Sequence, residues 1–295
     1  MTSRFIVLAS GSSGNANLLQ TDSFGVLIDC GLGPQELSAR LQSVGASWQS
    51  VNAVVLTHTH SDHWNKYTLE HLRRLNIPLV AHARHHNALS ATPQYAPLAR
   101  AGLVREYTSS TTLSLGTQLK LRAIQVPHDS DPTFAIRIDA GDQTAPTWSV
   151  GLASDLGRVP EELIAFFTDI DVLGIEFNHD ESLERASRRP RFLVERVLGD
   201  FGHLSNRQAA DGVRILAKSE RLAAVVQLHL SRDCNSAELA AKAGQAALQE
   251  VQSRARLLTA SQHHPTAAIS LVPQSERTRT ERPKRSIQFQ LPGME

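Results

Sequence analysis

Cysteine is almost missing from this 295-residue sequence, which holds only Cys30 and Cys234. Two cysteines build no disulfide framework, and these two form no Cys-x-x-Cys pair. A reducing cytosol suits such a chain, and a cytoplasmic location is the expectation. Long apolar runs are missing too. None approaches the roughly 18–20 residues of a membrane-spanning helix, so no membrane role is expected. The run Phe5–Ala9 is shorter than the usual ~7–15-residue signal core and reads as a strand of the fold. Nor is there a surplus of one charge: 30 Lys and Arg face 29 Asp and Glu. That balance excludes a grip on nucleic acid by bulk charge alone, so any such contact needs a local basic patch. No repeat of fixed period is visible. What the sequence has in quantity is histidine, with 13 residues.

Short apolar runs between turn residues predict strands over 5–9, 17–20, 24–28, 53–57, 113–116, 119–126, 133–139, 148–153, 172–175 and 223–229. Apolar residues at helical spacing predict helices over 34–44, 69–75, 161–167, 191–198, 208–219 and 237–258. Strands and helices alternate on both sides of the midpoint, which gives an α/β layered fold. One domain is expected over 1–260. A linker and a basic, disordered tail are expected over 261–295, with the periodic pattern stopping near Pro273.

Four metal-ligand side chains stand directly after the predicted strand 53–57, in His58-Thr59-His60-Ser61-Asp62-His63. In an extended segment, His58 and His60 point the same way. Asp62 and His63, on the next turn, reach a second position nearby. Imidazole and carboxylate suit zinc, manganese or iron. The cluster supplies two partial shells, so distant residues must close them. His128, Asp155 and His229 each stand just beyond a predicted strand. Together they make two sets of plausible size: His58, His60 and His128 for one cation, Asp62, His63 and His229 for a second, with Asp155 between both. Two cations roughly 3.5–4 Å apart can share a water and lower its pKa from 15.7 toward about 7.

The ordered series His-x-His-x-Asp-His, His128, Asp155, His229 resembles the metallo-β-lactamase fold over about residues 4–258. Four segments are similar to its YycJ/WalJ-type subgroup: 8–15 (Leu-Ala-Ser-Gly-Ser-Ser-Gly-Asn), 28–31 (Ile-Asp-Cys-Gly), 202–206 (Gly-His-Leu-Ser-Asn) and 228–232 (Leu-His-Leu-Ser-Arg). The resemblance implies a four-layer αβ/βα sandwich, with two mixed β-sheets face to face, helices outside and metals at the sheet edges. It implies two divalent cations, Zn²⁺ or Mn²⁺, and nuclease activity, described for the subgroup as 5′-to-3′ exonuclease on duplex DNA. Glu176 and His203 resemble the Glu…His pair of transfer-RNA 3′-processing endonucleases of this fold. That likeness implies a proton relay in which His203 donates to the leaving group and Glu176 orients it. Asp62 is expected to orient the attacking hydroxide.

The remaining candidates carry two readings each. Asp29, before Gly31, holds the cluster loop by a hydrogen bond or simply forms a turn. His179 contacts substrate, supports the site from behind, or is structural. The turn Ser10–Asn15 is a hairpin connection, or it offers backbone amides to a phosphate. The second reading makes Ser12 and Asn15 substrate contacts. Arg207 and Arg232, beside His203 and His229, are placed to meet a phosphate. Arg185, Arg188, Arg189 and Arg191 form a solvated helix end or a backbone grip. His71, His82, His85 and His86 read as surface or core, and His263 and His264 as inert. The leading function is a dinuclear metal phosphodiesterase on DNA. Thioester or lactone hydrolysis is the alternative, ahead of a diiron redox centre or a binding module. The span from Asp155 to His229 is too short for the inserted cap of β-CASP nucleases.

Overall fold

The computed structural model describes residues 3–130, 132–273 and Glu276. The first half supplies β1 (Ser3–Ala9), β2 (Ala16–Gln20), β3 (Gly25–Ile28), α1 (Pro34–Ser43), β4 (Ala53–Val55), α2 (Lys66–Leu75), β5 (Leu79–His82), α3 (His86–Ser90), α4 (Tyr95–Arg100) and β6 (Val104–Tyr107). The second supplies β7 (Leu113–Leu115), β8 (Leu119–Val126), β9 (Thr133–Gly141), β10 (Pro146–Ala153), α5 (Glu161–Phe166), β11 (Val172–Glu176), α6 (Glu181–Ala186), α7 (Arg191–Leu198), α8 (Asn206–Leu216), β12 (Ala224–Leu228), α9 (Ala237–Glu250) and β13 (Arg256–Thr259). The last strand is β14 (Ile269–Leu271). No helix among the described residues is long and apolar enough to cross a membrane.

The strands form two seven-stranded sheets, ordered β14-β1-β2-β3-β4-β5-β6 and β13-β12-β11-β10-β9-β8-β7. Both are mixed. In the first, pairing is antiparallel from β14 to β3 and parallel from β3 to β6. In the second it is antiparallel from β7 to β10 and parallel from β10 to β13. Side-chain alternation sorts the residues into layers. Phe5 and Val7 of β1 join Ile136 and Val150 in the core between the sheets. Ile6 and Leu8 instead pack under the helices with Leu37, Leu69 and Leu98. Leu173 and Val225 pack outward with Leu163, Val213 and Ala247. Two sheets face to face with helices outside are the expected sandwich. Truncating a fully buried aromatic such as Phe5 to Ala would cost about 3–5 kcal/mol.

Two expectations change at the C-terminal end. The helix predicted over 237–258 stops at Glu250, and Arg256–Thr259 pairs with β12 as a strand. The stop is a Schellman motif: Ser253 N–H reaches the Leu248 carbonyl and Gln252 N–H the Gln249 carbonyl. Gln252 takes the left-handed conformation (φ 55°) where glycine is usual, so no glycine marks the end. The segment expected as a linker after residue 260 carries β14, which extends the first sheet beside β1. The expected disordered tail lies outside the described residues, apart from Pro273 and Glu276.

Candidate metal centre

The carboxyl ends of β1, β3, β4, β8, β10, β11 and β12 meet at one edge of the sandwich. Open α/β sheets place their sites at such ends, where loops leave the rigid ladder. Three end residues, Asp29 (φ 64°), Asp155 (φ 60°) and His229 (φ 54°), adopt the left-handed region. Each costs about 1–2 kcal/mol there. The turn aims each side chain over the sheet edge instead of along the strand. The loop 58–63 is stitched down by backbone bonds. Asn15 N–H donates to the Asp62 carbonyl (2.7 Å), and Cys30 N–H to that of His63 (2.9 Å). A Cβ on Gly31 would lie 1.8 Å from the Asp62 carbonyl oxygen, so only glycine permits this approach.

Nitrogen or oxygen atoms of His58, His60 and His128 lie within 4.8 Å of one another, as do those of Asp62, His63 and His229. His128 Nε2 is 3.3 Å from His60 Nδ1. His229 Nε2 is 3.2 Å from Asp62 Oδ2, and His63 Nε2 is 3.6 Å from it. Asp155 stands between the trios, with Oδ2 3.0 Å from His63 Nε2 and Oδ1 4.0 Å from His128 Nε2. The structure thus brings all seven residues together, and the two trios read from the sequence stand among four overlapping groups, the others being His58, His63 and Asp155, and Asp155, Glu176, His203 and His229.

An outward hydrogen bond fixes the inward nitrogen of four of these rings. His63 Nδ1 donates to Asp29 Oδ2 (2.8 Å), His128 Nδ1 to the Gly202 carbonyl (2.9 Å), and His229 Nδ1 to Glu176 Oε1 (3.1 Å). Thr57 donates its backbone N–H and its hydroxyl to Asp29 (both 2.9 Å). The Thr57 oxygen then accepts from His58 Nδ1 (3.1 Å). His58 Nε2 is left buried without a partner. Glu176 is fully buried and saturated. Oε1 also accepts from His203 Nδ1 (2.7 Å), and Oε2 from the Leu156 and Leu204 N–H groups (3.0 and 3.3 Å).

The electrostatics follow from crowding carboxylates and imidazoles out of water. Burial, with His63 beside it, holds His58 well below the usual histidine range. Burial and His128 lower His60. Burial opposes charge on His63 and His229 as well, but carboxylates outweigh it. Asp29 and Asp155 lift His63 to about 10, and Asp155, Asp62 and Glu176 lift His229 well above 6.5. Against burial, His229 and His63 hold Asp155 well below its usual range, and His203 and His229 hold Glu176 down at about 2. His203 is raised, Glu176 overcoming burial. Without a cation, the raised His63 and His229 supply the positive charge that the ionised carboxylates demand, and a divalent cation would take the place of their inward protons. The orphaned His58 nitrogen and the inward lone pairs fit that role.

The supporting residues sort differently from the expectation. Asp29 holds the cluster loop, as one of its two readings had it. Asn15, read as part of a hairpin connection or as a substrate contact, is buried, and its amide nitrogen reaches Asp62 Oδ2 (3.1 Å) and His63 Nε2 (3.0 Å). That side chain steadies the loop from beside the inward atoms of Asp62 and His63. His179 is fully buried, which removes it from substrate contact. Arg207 is exposed but bound to Glu181 (2.9 Å), with Asp211 beside it. Ser12 and Arg232 stay exposed, and Arg232 donates to Ser13. Arg189 is anchored to Glu184 and Asp233, and Arg191 pairs with Glu195 on its own helix. The sequence reading missed Thr57, Asn178, whose amide donates to the His229 carbonyl (2.9 Å), and Asp129, 3.3 Å from His128 Nε2. Asn178 lies between Glu176 and His179, both already candidates; Thr57 and Asp129 adjoin candidate ligands but carried no signal of their own.

Two stacked mixed sheets with a histidine–aspartate centre at their strand ends define a metallo-β-lactamase-fold, metal-dependent hydrolase. The beta-lactamase superfamily domain matches residues 25–229, and the chain belongs to that family. Exodeoxyribonuclease WalJ of Streptococcus pneumoniae is 27% identical over 237 residues, 80% of this chain and 85% of that protein. Exodeoxyribonuclease YycJ of Bacillus anthracis is 27% identical over 247 residues, 83% of this chain and 89% of that one. Among solved structures, the metallo-beta-lactamase fold protein YhfI of Bacillus subtilis superposes with a TM-score of 0.65 at 14% identity, covering 92% of this chain and all of its own.

Proposed function

We propose that the chain is a dinuclear metal-dependent phosphodiesterase that degrades DNA from an end, with 5′-to-3′ action on duplex DNA as the finer reading. The observation that carries it is Asp155 set between two ligand trios, with the Glu176–His203 pair against the same carboxylate (His203 Nδ1 to Asp155 Oδ1, 3.5 Å). Relatives named exodeoxyribonucleases over four-fifths of the chain support the choice of substrate. A cytoplasmic setting goes with two free, buried thiols.

His58, His60 and His128 would hold one Zn²⁺ or Mn²⁺, and Asp62, His63 and His229 the other, with Asp155 serving both. When bound, the pair supplies an activated water and charge neutralisation at the phosphate. The chain's own groups do the rest. His60, Asp62 and His203 are the centre's more open side chains, 36%, 17% and 17% exposed, so substrate enters past them. Asp62 orients the attacking water by accepting its hydrogen bond. Glu176, held ionised by its four donors, fixes the His203 ring through Nδ1. That leaves Nε2 to hand a proton to the leaving oxygen.

The test is purified protein with added Mn²⁺ or Zn²⁺ on end-labelled duplex DNA, single-stranded DNA, RNA and a generic thioester. Duplex DNA should be degraded, and Asp62→Asn should abolish the activity. His203→Ala should slow DNA cleavage by about 10²–10⁴-fold with metal content kept, and far less with a p-nitrophenolate leaving group, which needs no proton. Cleavage of the thioester alone would sink the proposal.

A further inference from the structure

We propose that Phe201 is a stacking platform for a nucleobase beside the scissile phosphate, with Arg158 pairing to the adjoining phosphate. The inference rests on the nucleic-acid reading above and names a contact for it. A groove of about 860 Å³ opens next to His128, lined by Gln125, Arg158, Pro160, Glu162 and Phe201 among others. Its walls include loops that carry the centre, beside the end of β8 and the start of α5. Gly157 N–H, two residues past Asp155, donates to the Pro127 carbonyl (2.9 Å), next to His128. A Cβ on Gly157 would lie 2.2 Å from the Asp200 carbonyl oxygen, so this loop and the one entering His203 touch backbone to backbone. Phe201 precedes His203 by two residues, and the Gly202 carbonyl between them holds His128. A ligand in the groove therefore lies against loops whose positions are fixed relative to the reacting groups.

The lining says what the groove takes. Phe201 is 62% exposed and makes no ring contact with another aromatic residue among the described residues. Arg158 is exposed and makes no ion pair among the described residues. Among the described residues it is the only Lys or Arg in the lining, and Glu162 the only acid. Charge therefore nearly cancels, and the groove does not grip a polyanion by field strength. A flat apolar face beside one unpaired guanidinium suits a base and its phosphate, since every base offers a π-face. The Ser12, Ser13 and Arg232 patch is more polar and lacks an aromatic ring.

The experiment compares duplex ends carrying natural nucleotides with ends abasic at the last two positions. For the wild type, the abasic end should raise KM. Phe201→Ala should raise KM on the natural end about tenfold, with kcat kept. On the abasic end it should match the wild type, and Phe201→Trp should restore the natural-end KM. An equal loss by Phe201→Ala on both ends, or none on either, overturns the stacking role while the nuclease reading stands. A wild type that cleaves no nucleic acid overturns both. Phe201 is exposed enough that an unchanged thermal midpoint is expected for both variants.

Discussion

The two sheets repeat one pairing scheme, three antiparallel contacts followed by three parallel ones, in a chain whose sequence shows no repeat. Placing the schemes side by side matches β3 with β10, the strand where pairing changes sense. Each is followed by an aspartate in the left-handed conformation, Asp29 in one half and Asp155 in the other. Both touch the same ring: Asp29 Oδ2 lies 2.8 Å from His63 Nδ1, and Asp155 Oδ2 3.0 Å from its Nε2. The two positions, one residue past β3 and two past β10, have divided their work. Asp29 is closed in by Thr57 and the ring, so it can only orient. Asp155 faces both ligand trios and, in the proposed function, belongs to the chemistry. A shared backbone conformation does not give equal function; what surrounds the carboxylate does.

Removing charge from each aspartate in turn separates the two roles. Asparagine suits both sites because it tolerates positive φ and keeps the shape. Asp155→Asn should carry the largest effect. On the proposed dinuclear reading both cation positions lose their shared anion, so activity should fall on the order of a thousandfold, with metal content by atomic absorption clearly below two per chain. Full occupancy with full activity would show that Asp155 is not the shared ligand.

Asp29→Asn should do less. His63 keeps its place but loses the charged acceptor that fixes its tautomer, a change that typically weakens metal binding by about 10–100-fold. Titration with a competing chelator reads this directly, and excess metal should restore most of the activity. If Asp29→Asn matches Asp155→Asn in excess metal, the proposed division of labour fails.

The first half's share of the centre is legible in sequence because four of its ligands fall within six residues of one loop. His128, Asp155 and His229 are scattered singles. Each is readable only as the residue after an apolar strand, and only once the cluster demands partners. Asn15, Thr57 and Asn178 are less visible still, since a buried amide or hydroxyl beside a ligand has no spacing rule. The fold shows the same contrast. β8 (Leu119–Val126) and α7 (Arg191–Leu198) match the periodic reading residue for residue. The short β5 and β6 and the strand hidden at Arg256–Thr259 do not announce themselves. Parallel strands of four residues are too brief for alternation to register, and partner strands complete them.

His85 joins the halves away from the centre, and the smallest effect is expected there. It follows β5 in the first half, and its Nε2 donates to the Pro132 carbonyl of the second (3.0 Å). Its ring packs against Phe134 of β9 (5.8 Å between centroids). Burial lowers its pKa to about 4, although the Pro132 carbonyl works the other way. A histidine depressed on folding contributes stability that is complete above the unfolded value of about 6.5 and lost as pH falls through the folded one. From pH 6.5 down to 4 the unfolded chain therefore binds up to one more proton here, worth up to about 3 kcal/mol over the window. His85→Phe removes that proton and one hydrogen bond, the latter worth about 1 kcal/mol at neutral pH. Urea unfolding at pH 7.5 and 5 should then show a variant slightly less stable at 7.5 but losing less on acidification. Equal losses in both proteins would mean that the junction does not take up the proton. In that case the acid sensitivity would lie elsewhere, with His58 and His179 as the buried histidines to examine next.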